Sequence, residues 1–165
     1  MPTVFVIGTD HAFQRRQDLS EKNTAIRDAF EEFLSANIGA RKPDGIAEEA
    51  GDDQEVWEYL KAQEAQIPTE LRPLFAGTEI VDSPQQTIAR SVATTTGVRY
   101  ADIRANEAHK MTVAERDEAM ASAIHEQFGN AHSILVIVGE DHRAEVTRIL
   151  RDKYGWTTEA SPFPY

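Results

Sequence analysis

The chain has 165 residues, 41% hydrophobic and 27% charged, which suits one soluble domain with a core of its own. Its 28 acidic side chains outnumber 17 basic ones, for a formal net charge of −11. That balance argues against non-specific nucleic-acid binding and against docking on anionic membranes. It contains no cysteine, so disulfides, thiolate nucleophiles and sulfur zinc sites are excluded. No stretch is long and apolar enough to span a membrane, and the first residues lack a basic-then-apolar leader pattern. The expected location is the cytoplasm.

The chain alternates strand and helix. Residues 3–7 (Thr-Val-Phe-Val-Ile) form a continuous apolar run that Gly8 closes, the pattern of a strand buried on both faces. A helix is expected over 19–36, with Ala25, Ile26, Ala29, Phe30, Phe33 and Leu34 on one stripe, capped by Asp18 and ended by Gly39. Residues 45–49 form a short second strand.

Residues 51–83 are the least regular. A helix from Gly51-Asp52-Asp53 to about 66 is followed by Pro68 and Pro73, and the whole stretch is read as an insertion or lid. Ser83-Pro84-Gln85-Gln86 has the composition of a helix start, leading into Ile88, Ala89, Val92 and Ala93 and ending at Gly97.

A third strand covers 98–103. Thr112 with Glu115 opens a helix that carries Met120, Ala123, Ile124 and Phe128. The fourth strand is 133–138. A last helix, 142–153, has Asp141 as its N-cap and buries Val146, Ile149 and Leu150. Trp156–Glu159 is read as an edge strand and 161–165 as a tail. The fold class is therefore α/β: a single three-layer domain over 1–165, with a mostly parallel sheet of four to five strands flanked by helices.

Within this pattern the chain says nearly the same thing twice. Val4-Phe5-Val6-Ile7 leads into Gly8-Thr9-Asp10-His11, and Leu135-Val136-Ile137-Val138 leads into Gly139-Glu140-Asp141-His142. If both runs belong to one parallel sheet, His11 and His142 emerge at its carboxyl edge, where open α/β sheets bind ligands. The second strand ends in Glu48-Glu49 and the third in Asp102, so carboxylates reach the same edge. Adjacent strand residues face opposite ways. Glu49 is taken as the inward one and Glu48 as facing solvent or an edge. Imidazole and carboxylate suit Zn²⁺, Mn²⁺ or Fe²⁺ and also suffice for metal-free acid/base work. His142 is expected at a helix N-terminus, where the dipole disfavours imidazolium, and a neutral imidazole is what a metal ligand or base needs.

Arg15, Arg16, Arg104 and Arg143 follow strands one, three and four, a local positive excess in an acidic chain. Arg116 sits on the apolar stripe of its helix, one turn before Met120. Together they are read as candidates for holding an anionic substrate. The acidic run from Glu48 to Glu58 reads as a capped, solvated helix start, and His109, His125 and His132 receive no role. Nucleophile-elbow, phosphate-loop and dinucleotide fingerprints are all missing.

The set Gly8-Thr9-Asp10-His11, Ile46-Ala47-Glu48-Glu49, Arg116-Asp117-Glu118-Ala119-Met120 and Val138-Gly139-Glu140-Asp141-His142, with Gly155-Trp156, resembles the TraB/TIKI/ChaN/erythromycin-esterase superfamily. Two Gly-x-x-His motifs and a strand-end glutamate mark that family. The likeness runs from residue 3 to about 156 and leaves 51–83 unmatched. It implies an α/β sheet with the site at its carboxyl edge, His11, Glu49 and His142 as core site residues, and Arg116 in support. Members include metal-dependent peptidase-like proteins, esterases with a histidine base and a haem-binding protein, so the family does not fix one chemistry. The chain is shorter than the family pattern, which leaves open loss of activity or a pocket completed in a homodimer.

The expectation is a small hydrolase. His11, Glu49 and His142 would hold a divalent metal (Mn, Co or Zn) that activates water, with Asp102 or Glu48 as base or support. The metal-free variant uses one histidine as base, oriented by Glu49. The alternatives are a non-catalytic module that binds a small ligand or haem, and an interaction protein that kept only the fold. The substrate, a small molecule or peptide, is not named by the sequence.

Overall fold

The computed structural model describes residues 1–10, 14, 21–50, 62, 65–75 and 87–165. Their elements are β1 (Thr3–Thr9), α1 (Glu21–Arg41), β2 (Gly45–Glu48), α2 (Ile88–Thr96), β3 (Arg99–Asp102), α3 (Val113–Phe128), β4 (Ser133–Gly139), α4 (Glu140–Asp152) and β5 (Thr157–Pro162), with 3₁₀ turns at Arg72–Phe75 and Ala108–Lys110. The five strands form one sheet in the order β3-β2-β4-β1-β5, with every pairing parallel. This is the three-layer α/β architecture expected from the alternation of apolar runs and amphipathic stretches. Among the described residues no helix is long and apolar enough to cross a membrane.

Position in the sheet follows from composition. In the central strand β4, every residue from Ile134 to Gly139 is buried, as its unbroken apolar run requires. The edge strands β3 and β5 carry Arg99, Asp102, Thr157 and Glu159, all exposed. Alternation then divides the core. Val4, Val6, Ala47, Val136 and Val138 face Met120, Ile124, Val146 and Leu150 of α3 and α4. Phe5, Ile7, Ile46, Leu135 and Ile137 face Phe30, Leu34, Ile88 and Val92 of α1 and α2.

Several boundaries move, each for a local reason. The first helix does not stop before Gly39. It runs through that glycine to Arg41, and Lys42, with φ of 47°, takes the left-handed position that ends it. The next helix is capped by Thr87, whose Oγ1 accepts from the Arg90 N–H; Ser83–Gln86 lie outside the described residues, as does most of the 51–83 stretch. The helix α4 begins at Glu140 with Gly139 as its N-cap, so Asp141 is an exposed first-turn residue instead of the cap. The C-terminal segment is not a loose tail. It pairs with β1 through Pro162, its next residue Phe163 donates its N–H to the Gly8 carbonyl at 2.7 Å, and the buried Phe163 ring packs edge-on against Phe30 at 5.0 Å.

Candidate functional site

β1 and β4 are neighbours in a register that pairs Gly8 with Val138 and Thr9 with Gly139. The two strand ends therefore lie side by side at the carboxyl edge. A Cβ at Gly8 would overlap the Glu140 carboxylate and crowd Arg143 Cδ at 2.9 Å. His11 lies outside the described residues, as do Arg15 and Arg16.

His142 is buried on the third position of α4. Its Nδ1 is 2.5 Å from Oδ1 of Asp117, a buried carboxylate on α3. Its Nε2 points to Oε1 of the buried Glu49 at 3.7 Å. The other Glu49 oxygen accepts the Gly139 N–H at 2.9 Å, and the Glu49 N–H continues the sheet ladder to the Ile137 carbonyl at 2.8 Å. Both ends of the imidazole thus face a carboxylate, and both carboxylates are fixed by packed elements. Burial raises the Asp117 carboxyl above its usual range, opposed by the His142 hydrogen bond and charge and reinforced by Glu145 and Glu49.

The Nε2–Oε1 separation lies within ion-pair range. It exceeds a hydrogen bond. Two donors each about 2.1 Å from a tetrahedral cation sit roughly 3.4 Å apart, close to what is found. Asp117 on the far nitrogen and Gly139 on the far oxygen are the outer partners such ligands ordinarily have. The residues therefore fit a cation held between His142 and Glu49. Among the described residues no three His, Asp or Glu side chains form a metal-binding group, and the further donor assigned by sequence is His11.

Glu48 behaves differently from expectation. It faces neither solvent nor an open edge: it is fully buried on the opposite side of the sheet from Glu49. Its carboxylate accepts from Gln14 Nε2 at 2.8 Å, Thr87 Oγ1 at 2.5 Å and Tyr100 OH at 2.6 Å. Gln14 Nε2 also donates to the Glu49 carbonyl at 3.0 Å. This knot ties β2 to β3, to the N-cap of α2 and to residue 14. Burial pushes the Glu48 carboxyl up, against the three donors and with help from the charge of Asp102. Burial and the Glu48 charge likewise push the Tyr100 hydroxyl up.

Asp102 is paired in register with Glu48 and shares the face of Tyr100, away from His142. Its Oδ1 accepts the N–H groups of Ala50 at 3.3 Å and Arg104 at 3.0 Å, so it fastens the turn after β3.

A pocket of about 630 Å³ opens beside His142, lined by Gly8, Thr9, Asp10, Val113, Arg116, Gly139, Glu140, Asp141, His142, Pro162, Phe163 and Tyr165. Of the sequence-assigned arginines that the structure describes, only Arg116 lines it. Arg143 is occupied by Glu140, through Nε at 3.0 Å and Nη2 at 2.7 Å. Arg104 does not line the pocket. Arg116 Nε is buried without a hydrogen-bond partner among the described residues, at a cost of about 1–3 kcal/mol.

Asp117 was missed by the sequence reading, which took Arg116 as the odd residue on the stripe. The buried face of α3 is Asp117, Met120, Ala121, Ile124 and Phe128, spaced for one side of a helix. An aspartate in phase with that apolar stripe was the available signal. No protein-family model, no curated protein and no solved structure matches this chain, so the likeness to the TraB/TIKI/ChaN/erythromycin-esterase superfamily rests on the motifs themselves.

Proposed function

We propose that the chain is a small hydrolase whose site is built on His142, oriented by Asp117 and set beside Glu49. The observation that carries this reading is the buried imidazole with Asp117 at 2.5 Å on Nδ1 and Glu49 at 3.7 Å from Nε2, on the wall of an open pocket. With its proton on Nδ1 toward Asp117, the ring keeps its Nε2 lone pair turned to a carboxylate. Two electron-rich atoms that face each other repel. A proton or a cation between them relieves it.

We assign a divalent cation to this gap, with His142 Nε2 and Glu49 Oε1 as two of its ligands and His11 as the third expected from sequence. Bound there, the cation would lower the pKa of a coordinated water toward neutrality. The chain's own groups do the rest. Asp117 fixes the ring orientation and tautomer. The Gly139 N–H locks Glu49 in place. The pocket walls hold substrate against the site.

The test is a zinc, manganese and cobalt titration run beside hydrolysis assays on p-nitrophenyl esters and short peptides. Metal uptake with chelator-sensitive turnover, both lost in His142→Ala, supports the reading. Turnover that ignores chelator but is lost in His142→Ala removes the metal and leaves the histidine as base. No metal uptake and no turnover on any substrate would sink the proposal.

A further inference from the structure

The pocket beside His142 is lined by groups of two kinds. One is the Arg116 side chain. Among the described residues no carboxylate forms an ion pair with it, and its Nε has no hydrogen-bond partner. The others are apolar. Phe163 is seated in the core by Phe30 and Phe33, with ring centroids 5.0 Å and 5.5 Å away. Tyr165 packs on Phe163 at 5.0 Å, yet 70% of it is exposed, and Val113, one turn before Arg116 on α3, is 51% exposed. Among the described residues these two are of the few large apolar side chains left open to water, and both line this pocket.

We infer that the pocket takes a small monocarboxylate with an apolar or aromatic body: the carboxylate on Arg116 and the body against Val113, Phe163 and Tyr165. Charge limits the ligand to one negative group. Asp10, Glu140 and Asp141 line the same pocket, and Glu140 already engages Arg143, so a dianion such as phosphate meets more repulsion than one arginine offsets. A carboxylate matches the planar guanidinium in shape as well as charge. The volume, about 630 Å³, lies within the range of small-molecule sites. The inference names the ligand of the pocket assigned to hydrolysis and rests on that reading only for the reaction that follows binding.

Calorimetric titration of the full chain with four probes tests it: 3-phenylpropionate, its neutral counterpart 3-phenylpropanol, acetate and inorganic phosphate. The expected result is binding of 3-phenylpropionate, with each other probe weaker by about tenfold or more. Arg116→Met is expected to lower phenylpropionate affinity by about tenfold while leaving phenylpropanol unchanged, and Arg116→Lys to fall between. Equal binding of phenylpropanol, preference for phosphate, or full affinity in Arg116→Met overturns the inference. The probe series on the unaltered chain decides even if a variant fails to fold. Zinc uptake and hydrolysis are measured on the same samples. Probe binding without them fails the hydrolytic reading alone; their presence without probe binding fails the inference alone.

Discussion

His142 of α4 and Asp117 of α3 meet with 2.5 Å between Nδ1 and Oδ1, both buried, where the two helices pack over the carboxyl edge of the sheet. The contact fixes which imidazole nitrogen faces the protein and which faces Glu49. Removing it while keeping shape is informative. Asp117→Asn is expected to keep the fold and to lower metal affinity about 10- to 100-fold, with a parallel loss of turnover. Metal titration with circular dichroism as the control checks this. Unchanged affinity in a folded variant would show that Asp117 only packs.

Glu48 gives a prediction in stability. Its carboxyl is raised by burial, so the folded state favours the protonated form more than the unfolded chain does. The contribution is favourable below the ordinary value of 4.5 and is lost as pH rises through the raised folded value. Glu48→Gln lacks that loss. It is expected to melt above the parent at pH 7, with the gap closing as pH falls toward 4.5. A gap independent of pH would mean that the three-donor knot keeps Glu48 ionised throughout.

Arg116 ties stability to binding. Arg116→Met removes a buried nitrogen that lacks a partner among the described residues. Without ligand it is expected to stabilise the chain by about 1 kcal/mol, a rise of roughly 2–4 °C in Tm. Differential scanning calorimetry of the ligand-free protein reads this directly. A drop in Tm would show that the stem of the side chain contributes more by packing than its Nε costs.

Two glycines separate close approach from tight packing. A Cβ at Gly8 meets the end of the Glu140 side chain, which can swing away, whereas at Gly45 it overlaps the buried Phe128 ring. Gly45→Ala is expected to cost about 1–3 kcal/mol and Gly8→Ala about 1 kcal/mol or less. Denaturant melts of the pair check the order. The reverse order would mean that the Glu140–Arg143 pair, not the core, limits the first turn of α4.

Much of this was legible beforehand because burial writes itself into composition. The unbroken apolar runs at Val4–Ile7 and Leu135–Val138 read as buried strands, and the structure pairs them side by side. The Thr112 cap was readable because its hydroxyl needs only the local Glu115 N–H. Less legible were contacts made across the fold. Glu48 carries no mark distinguishing it from a surface acid until Gln14, Thr87 and Tyr100 are brought around it from three segments. Asp117 needed the helix phase known to within one residue. Ser161 is polar enough to pass for a tail, yet an edge strand exposes one side and tolerates it.

The central claim is that His142 and Glu49 share a cation. Zinc titration of the parent chain, Glu49→Gln and His142→Ala by calorimetry at pH 7 tests it most directly. The account predicts one zinc per chain in the parent and affinity weaker by about tenfold or more in each variant. Zinc binding of equal strength in all three, or none in the parent, would contradict it.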